Sequence, residues 1–185
     1  MLIYMFAEAV KLKIKCAQSG VKQFLEIVDV FCDADATQHK DLLAQIKKLL
    51  DEKPDIVGGT NALDTRYEGT GFDRAMFRTV NLLVILMMRA RFPHDAGTLT
   101  FFRKSVFEKL GGFDESLRLA EAHDLALRSR KYGKYGYVKA PIYASLRRYK
   151  KTGYWQTYRT YIMATIWFWT TKKVPLEKIQ HRVVR

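Results

Sequence analysis

Short apolar runs alternate along the chain with longer stretches of helical period. "EIVDVF" at residues 26–31 predicts a buried strand that ends at Asp33. In "HKDLLAQIKKLLDEK", Leu42, Leu43, Ile46, Leu49 and Leu50 recur at helical spacing, and Pro54 stops the helix. "DIVGG" predicts a second short strand closed by its glycines, and the polar "TNALDTRYEGTG" after it predicts a loop. "FDRAMFRTVNLLVILMMRARF" predicts a long helix. Its apolar run, residues 82–88, is far too short to span a bilayer, which points to burial in the core. "GTLTFF" predicts a strand, and "KSVFEKLGGF" a short helix stopped by Gly111 and Gly112. "EAHDLALRSRKYG" predicts another helix and "YGYVKAPIYASL" a last strand. Strands alternating with helices predict an α/β domain with a mostly parallel sheet and flanking helices.

Length leaves this organisation as one domain, since 185 residues can bury a sizeable core. Charge changes the picture more. The net charge is +13, and it is uneven. Residues 128–185 hold 15 Lys/Arg and one acid, Glu177, or +14; the first 127 residues hold 17 basic and 18 acidic residues, or −1. A neutral body with a basic final third seeks an anionic partner: a membrane surface, nucleic acid or phosphorylated ligands. Cys16 and Cys32 match no metal-ligand spacing and are expected to be reduced thiols. The opening "MLIYMFAEAV" is short, lacks a basic leader and contains Glu8, so it does not read as a signal peptide.

Asp33 and Asp35 stand at the carboxyl end of the first predicted strand, where ligands gather in α/β sheets. Two carboxylates so close repel, and a divalent cation resolves the repulsion. Hard oxygen ligands suit Mg²⁺ or Mn²⁺, which keep waters and grip substrate phosphates. The bland alternative has one aspartate capping the next turn and the other solvated.

A second stretch bears on that choice. Residues 97–133 show Arg103 after a strand, a helix, then Gly111, Gly112, Phe113, Asp114 and Glu115, and further on Glu121, Asp124, Leu125 and Arg128. This order resembles the C-terminal, acceptor half of family 2 glycosyltransferases, nucleotide-sugar-dependent enzymes of the GT-A fold. The resemblance covers roughly residues 20–150 and implies an incomplete GT-A (Rossmann-like) domain over residues 1–150. It implies that Asp35 with Asp33 holds Mg²⁺ or Mn²⁺ against the donor diphosphate. It implies that Gly112, Phe113, Asp114 and Glu115 shape the acceptor pocket, and that a carboxylate near Glu121 takes the acceptor hydroxyl's proton. The expected function is transfer of a sugar, with inversion, from a nucleotide-sugar donor to a glycan or lipid-linked acceptor, as in polysaccharide biosynthesis.

Two departures qualify it. The family's base position falls at Ala122, which cannot accept a proton; Glu121, Asp124 or His123 would have to replace it. The family's nucleotide-binding half, a βαβαβ unit, finds no counterpart in the roughly 30 residues before Asp33. The expectation is therefore either an enzyme or a catalytically impaired, partner-dependent relative, with a protein partner completing the sheet.

Residues 151–185 form a separate basic, aromatic tail. Trp155, Tyr158, Ile162, Ile166 and Trp169 share one helical face by spacing, and Lys and Arg flank it. Trp and Tyr favour the membrane interface, and cations favour anionic headgroups. The tail predicts a basic amphipathic helix on an anionic membrane surface, with the protein peripheral at the cytoplasmic face. The alternatives are a helix packed on the sheet and a nucleic-acid-binding module without chemistry.

Overall fold

A computed structural model of the protein describes residues 24–33, 36–65, 69–95, 98–115, 117 and 120–171. Five strands form one sheet: β1 (Val28–Cys32), β2 (Thr37–Gln38), β3 (Ile56–Asp64), β4 (Leu99–Arg103) and β5 (Lys134–Tyr143), in the order β1-β4-β3-β5-β2. The helices are α1 (Leu42–Glu52), α2 (Gly71–Arg89), α3 (Lys104–Lys109), α4 (Glu121–Ser129), α5 (Arg147–Thr152) and α6 (Tyr154–Thr171).

The α/β class stands, but the mostly parallel, Rossmann-like sheet does not. β4 runs antiparallel to both β1 and β3, β2 runs antiparallel to β5, and only β3 and β5 are parallel among the described strands. The cause is the path of α2. A helix that crossed a whole sheet face would return the chain for a parallel strand. Instead, Asn81 in the middle of α2 accepts from the Leu63 N–H and donates to the Leu63 carbonyl, both at 2.9 Å. That pins α2 across the carboxyl end of β3. The chain leaves α2 at the end of the sheet where it entered, so β4 must run back.

Side chains alternate between the two faces. Val28, Val30, Phe101, Val138, Ala140 and Ile142 join Leu42, Ile46 and Leu50 of α1 and Met76 and Phe77 of α2 in one buried core. Phe31 and Phe102 point the other way and meet Phe107 of α3. The Cys32 thiol donates to the Asp33 carbonyl at 3.4 Å, and Cys16 lies outside the described residues.

The glycines expected to close the second strand lie inside it. β3 runs on to Asp64, so residues 60–64 are strand and not loop. Gly58 and Gly59 have no side chain because none would fit: a β-carbon at Gly58 would strike the Phe102 ring, and one at Gly59 the Phe101 ring and the Gly136 carbonyl. Gly59→Ala should therefore lower the unfolding free energy by about 1–3 kcal/mol through overpacking. A urea titration reads this; an unchanged midpoint would mean that β5 can shift away.

α2 starts at a capping box. The Thr70 side chain accepts from the Asp73 N–H, and the Asp73 carboxylate accepts from the Thr70 N–H at 2.7 Å. Asp73 also accepts from the Tyr154 hydroxyl, a bond that holds its carboxyl below the usual range and ties the start of α6 to the start of α2. The expected burial of the apolar run is only partly found: Val84 is buried, while Leu82, Leu83 and Leu86 are about half exposed. The tail helix turns inward a face other than the aromatic one read from its spacing, which the packed alternative would have buried. Thr157, Ala164 and Phe168 are buried, whereas Trp155, Ile162, Ile166 and Trp169 of the expected face are exposed. Among the described residues no helix is long and apolar enough to cross a membrane.

Candidate active site

The sequence-derived residues spread over three neighbouring places. Asp33 is exposed just past β1, and its N–H donates to the Thr98 carbonyl at 3.0 Å, which fixes the strand end beside the start of β4. Asp35 lies outside the described residues. The Gly-Gly-Phe turn follows α3. Gly111 and Gly112 adopt φ of 74° and 73°, a left-handed conformation that favours glycine. Phe113 packs edge-on against Phe31, with ring centroids 4.9 Å apart, and against Phe107 at 5.6 Å. Asp114 accepts at its carbonyl from the Leu117 N–H, and Glu115 is exposed.

Arg128 joins that turn to α4. Its guanidinium donates to Asp124 at 2.6 Å, to the Leu110 carbonyl at 2.6 Å and to the Gly112 carbonyl at 2.8 Å. Asp124, named from the sequence as a candidate catalytic carboxylate, is thus the ion-pair partner of a clamp. A helical i,i+4 pair supplies the clamp's anchor and the glycine turn supplies its target.

Glu121 begins α4 and is buried. Loss of water pushes its carboxyl pKa up, and the nearby Asp95 carboxylate pushes it further. Asp95 is fully buried. It accepts from the Tyr135 hydroxyl at 2.5 Å, and that hydroxyl lies 2.9 Å from the Thr100 hydroxyl. The Tyr135 phenol is held well above its usual pKa, first by burial and then by Asp95. Beside this pair, the Nε2 atoms of His94 and His123 lie 3.1 Å apart with the rings edge to face. Burial lowers the His94 pKa to about 4 and that of His123 well below its usual value. Ala122 is buried, so a carboxylate there would enter the packed interior.

Asp95, Tyr135 and His94 were not legible in the sequence. Asp95 and His94 sit in the return loop after α2, and Tyr135 sits at the start of β5. Only tertiary folding brings them to Glu121. Burial and, to a smaller degree, the Asp95 charge raise the proton affinity of Glu121, and a buried carboxylate shifted in this way is a candidate for acid–base work.

Among the described residues, no three His, Cys, Asp or Glu side chains gather into a metal site. Asp33 contributes one exposed hard oxygen donor at a strand end. That donor chemistry fits an ion held jointly by substrate phosphates and water, and does not fit an all-protein cage.

The mixed sheet and its helices make a glycosyltransferase-like fold. A solved structure that shows it is the mannosyltransferase PcManGT from Pyrobaculum calidifontis in complex with GDP-Man and Mn²⁺, with a TM-score of 0.52 and 20% sequence identity. The match covers 85% of this chain and 45% of the mannosyltransferase, so the chain spans less than half of that protein's length. No protein-family model matches the chain. No curated protein matches it either.

Proposed function

We propose that the chain provides the metal-binding and acceptor side of a family 2 glycosyltransferase that moves a sugar, with inversion, from a nucleotide-sugar to a glycan or lipid-linked acceptor. The observation that carries this reading is Glu121, a buried carboxylate whose proton affinity is raised by burial and by the Asp95 charge. The return loop that holds Asp95 leads into Thr98, and Thr98 holds the Asp33 main chain. Glu121 accepts the proton of the acceptor hydroxyl as that oxygen bonds to the anomeric carbon and the bond to the nucleoside diphosphate breaks. Asp95 keeps Glu121 basic, and the Tyr135 hydroxyl holds Asp95 in place. Asp33 faces the departing diphosphate; Mg²⁺ or Mn²⁺ bound there would offset the negative charge that builds on it. The buried Ala122, at the family's base position, favours a second reading: a relative with impaired turnover that depends on a partner.

Calorimetry tests the donor side. Nucleoside diphosphate should bind only when Mn²⁺ or Mg²⁺ is present. Asp33→Asn should weaken that binding by about tenfold or more, since the exposed site loses its charge against the metal. Equal affinity in the presence of a chelator would remove the metal from the reading.

A further inference from the structure

We infer that α2 and α6 together form a docking face for an anionic lipid surface, on which the protein lies without crossing the bilayer. Both ends of the two helices are joined. Tyr154 meets Phe72 edge-on with ring centroids 5.4 Å apart, and Phe92, just beyond α2, stacks on Trp169 at 5.4 Å. α6 is fixed from below, because Phe168 is buried against the His123 ring. Its outward side carries Trp155 at 80% exposure, Ile162 at 56% and Ile166 at 54%. α2 adds Leu82 at 55%, Leu83 at 54% and Phe72 at 63%. Large apolar side chains gathered on a folded surface mark an interaction site.

Charge selects the occupant. Arg74, Arg78 and Leu82 follow one another at four-residue spacing on α2, so cations share its exposed side. The one acid on α2, Asp73, is buried. α5 and α6 carry Arg147, Arg148, Lys150, Lys151 and Arg159 and no acid. The two helices are therefore apolar, tryptophan-bearing and cationic on their outward side, and α2, α5 and α6 carry no exposed carboxylate. Another protein core would not demand that combination, whereas anionic headgroups over acyl chains do. α6 is also too polar to span a bilayer.

The test uses the full chain with vesicles of phosphatidylglycerol or phosphatidylcholine. Sedimentation should show binding to phosphatidylglycerol at least about tenfold tighter than to phosphatidylcholine, and weaker in high salt. Leu83→Glu combined with Ile166→Glu should reduce binding by about tenfold or more, because it places charge in the apolar layer. All three tryptophans of the chain lie on α6, so in the unmodified protein brominated lipids should quench their emission. Undiminished binding by the double variant, or unquenched emission, would overturn the inference. So would light scattering that shows a dimer dissolved by the same variant without vesicle binding, since a second copy would then cover the face. Tight binding to single-stranded nucleic acid without vesicle binding would overturn it as well.

Discussion

With Glu121 as the proposed general base, Glu121→Gln should cut sugar transfer by about 10²–10⁴-fold, the range for loss of such a base, and should at the same time make the protein more stable near neutral pH. The two effects share one cause. Burial and Asp95 raise the Glu121 pKa, so at neutral pH the folded state holds a carboxylate that is costlier to ionise than in the unfolded chain. For a raised pKa, the stabilising contribution is complete below the usual carboxylate value and is lost as pH rises through the folded value. Glutamine has the same shape and no charge, so it removes that cost. Transfer from a panel of nucleotide-sugars, with urea unfolding of the same samples, reads both effects. In the parent, kcat/KM should fall on acidification as Glu121 takes up its proton. Activity that survives the substitution would place the base elsewhere. Activity lost together with stability would make Glu121 a structural residue.

How far the fold could be read from the chain depends on what each pattern encodes. Period two and period 3.6 report which face of an element is apolar, and β1, β4, α1 and α4 were legible for that reason. Neither period reports direction. The reversal of β4 comes from Asn81 on Leu63, a contact between residues 18 apart that carries no local signature. β3 was read too short because glycine usually ends a strand. Here Gly58 and Gly59 are required by phenylalanine rings on β4, and a single sequence does not show that neighbour. The apolar run of α2 was assigned to the core because hydrophobicity marks what avoids water and leaves open what covers it.

The site was legible where motif and geometry coincide. Asp124 and Arg128 stand four apart, and the structure uses that spacing to hold the Gly112 turn. Glu121 was named, but the group that tunes it was not. Asp95 is a lone aspartate after a proline in a loop, a setting that usually signals a turn. Its burial and its Tyr135 partner arise from the sheet face, where residues 40 apart in sequence meet.

Stability should fall as the solution is made acidic, and the histidine pair should be the main cause. The His94 pKa is lowered to about 4 by burial, and that of His123 is lowered by burial and then by His94. Each imidazole therefore takes up its proton in the unfolded chain near pH 6.5 but resists it in the folded one. The contribution is complete above about pH 6.5 and is lost as pH falls toward about 4, at about 1.4 kcal/mol per pH unit for His94. His123 acts in the same direction, so a drop of about 3 kcal/mol or more is expected by pH 4.5. Glu121 opposes the trend, since its protonation relieves a buried charge. The lowered carboxyls of Asp55 and Asp73 act only below their usual range, outside this window. Replacing both rings, His94→Met with His123→Phe, removes donor and acceptor together and leaves neither unpaired. The variant should unfold in urea with a midpoint nearly constant between pH 7 and pH 4.5, while the parent's midpoint falls steadily. An equal fall in both proteins would show that the acid sensitivity arises outside the His94–His123 pair.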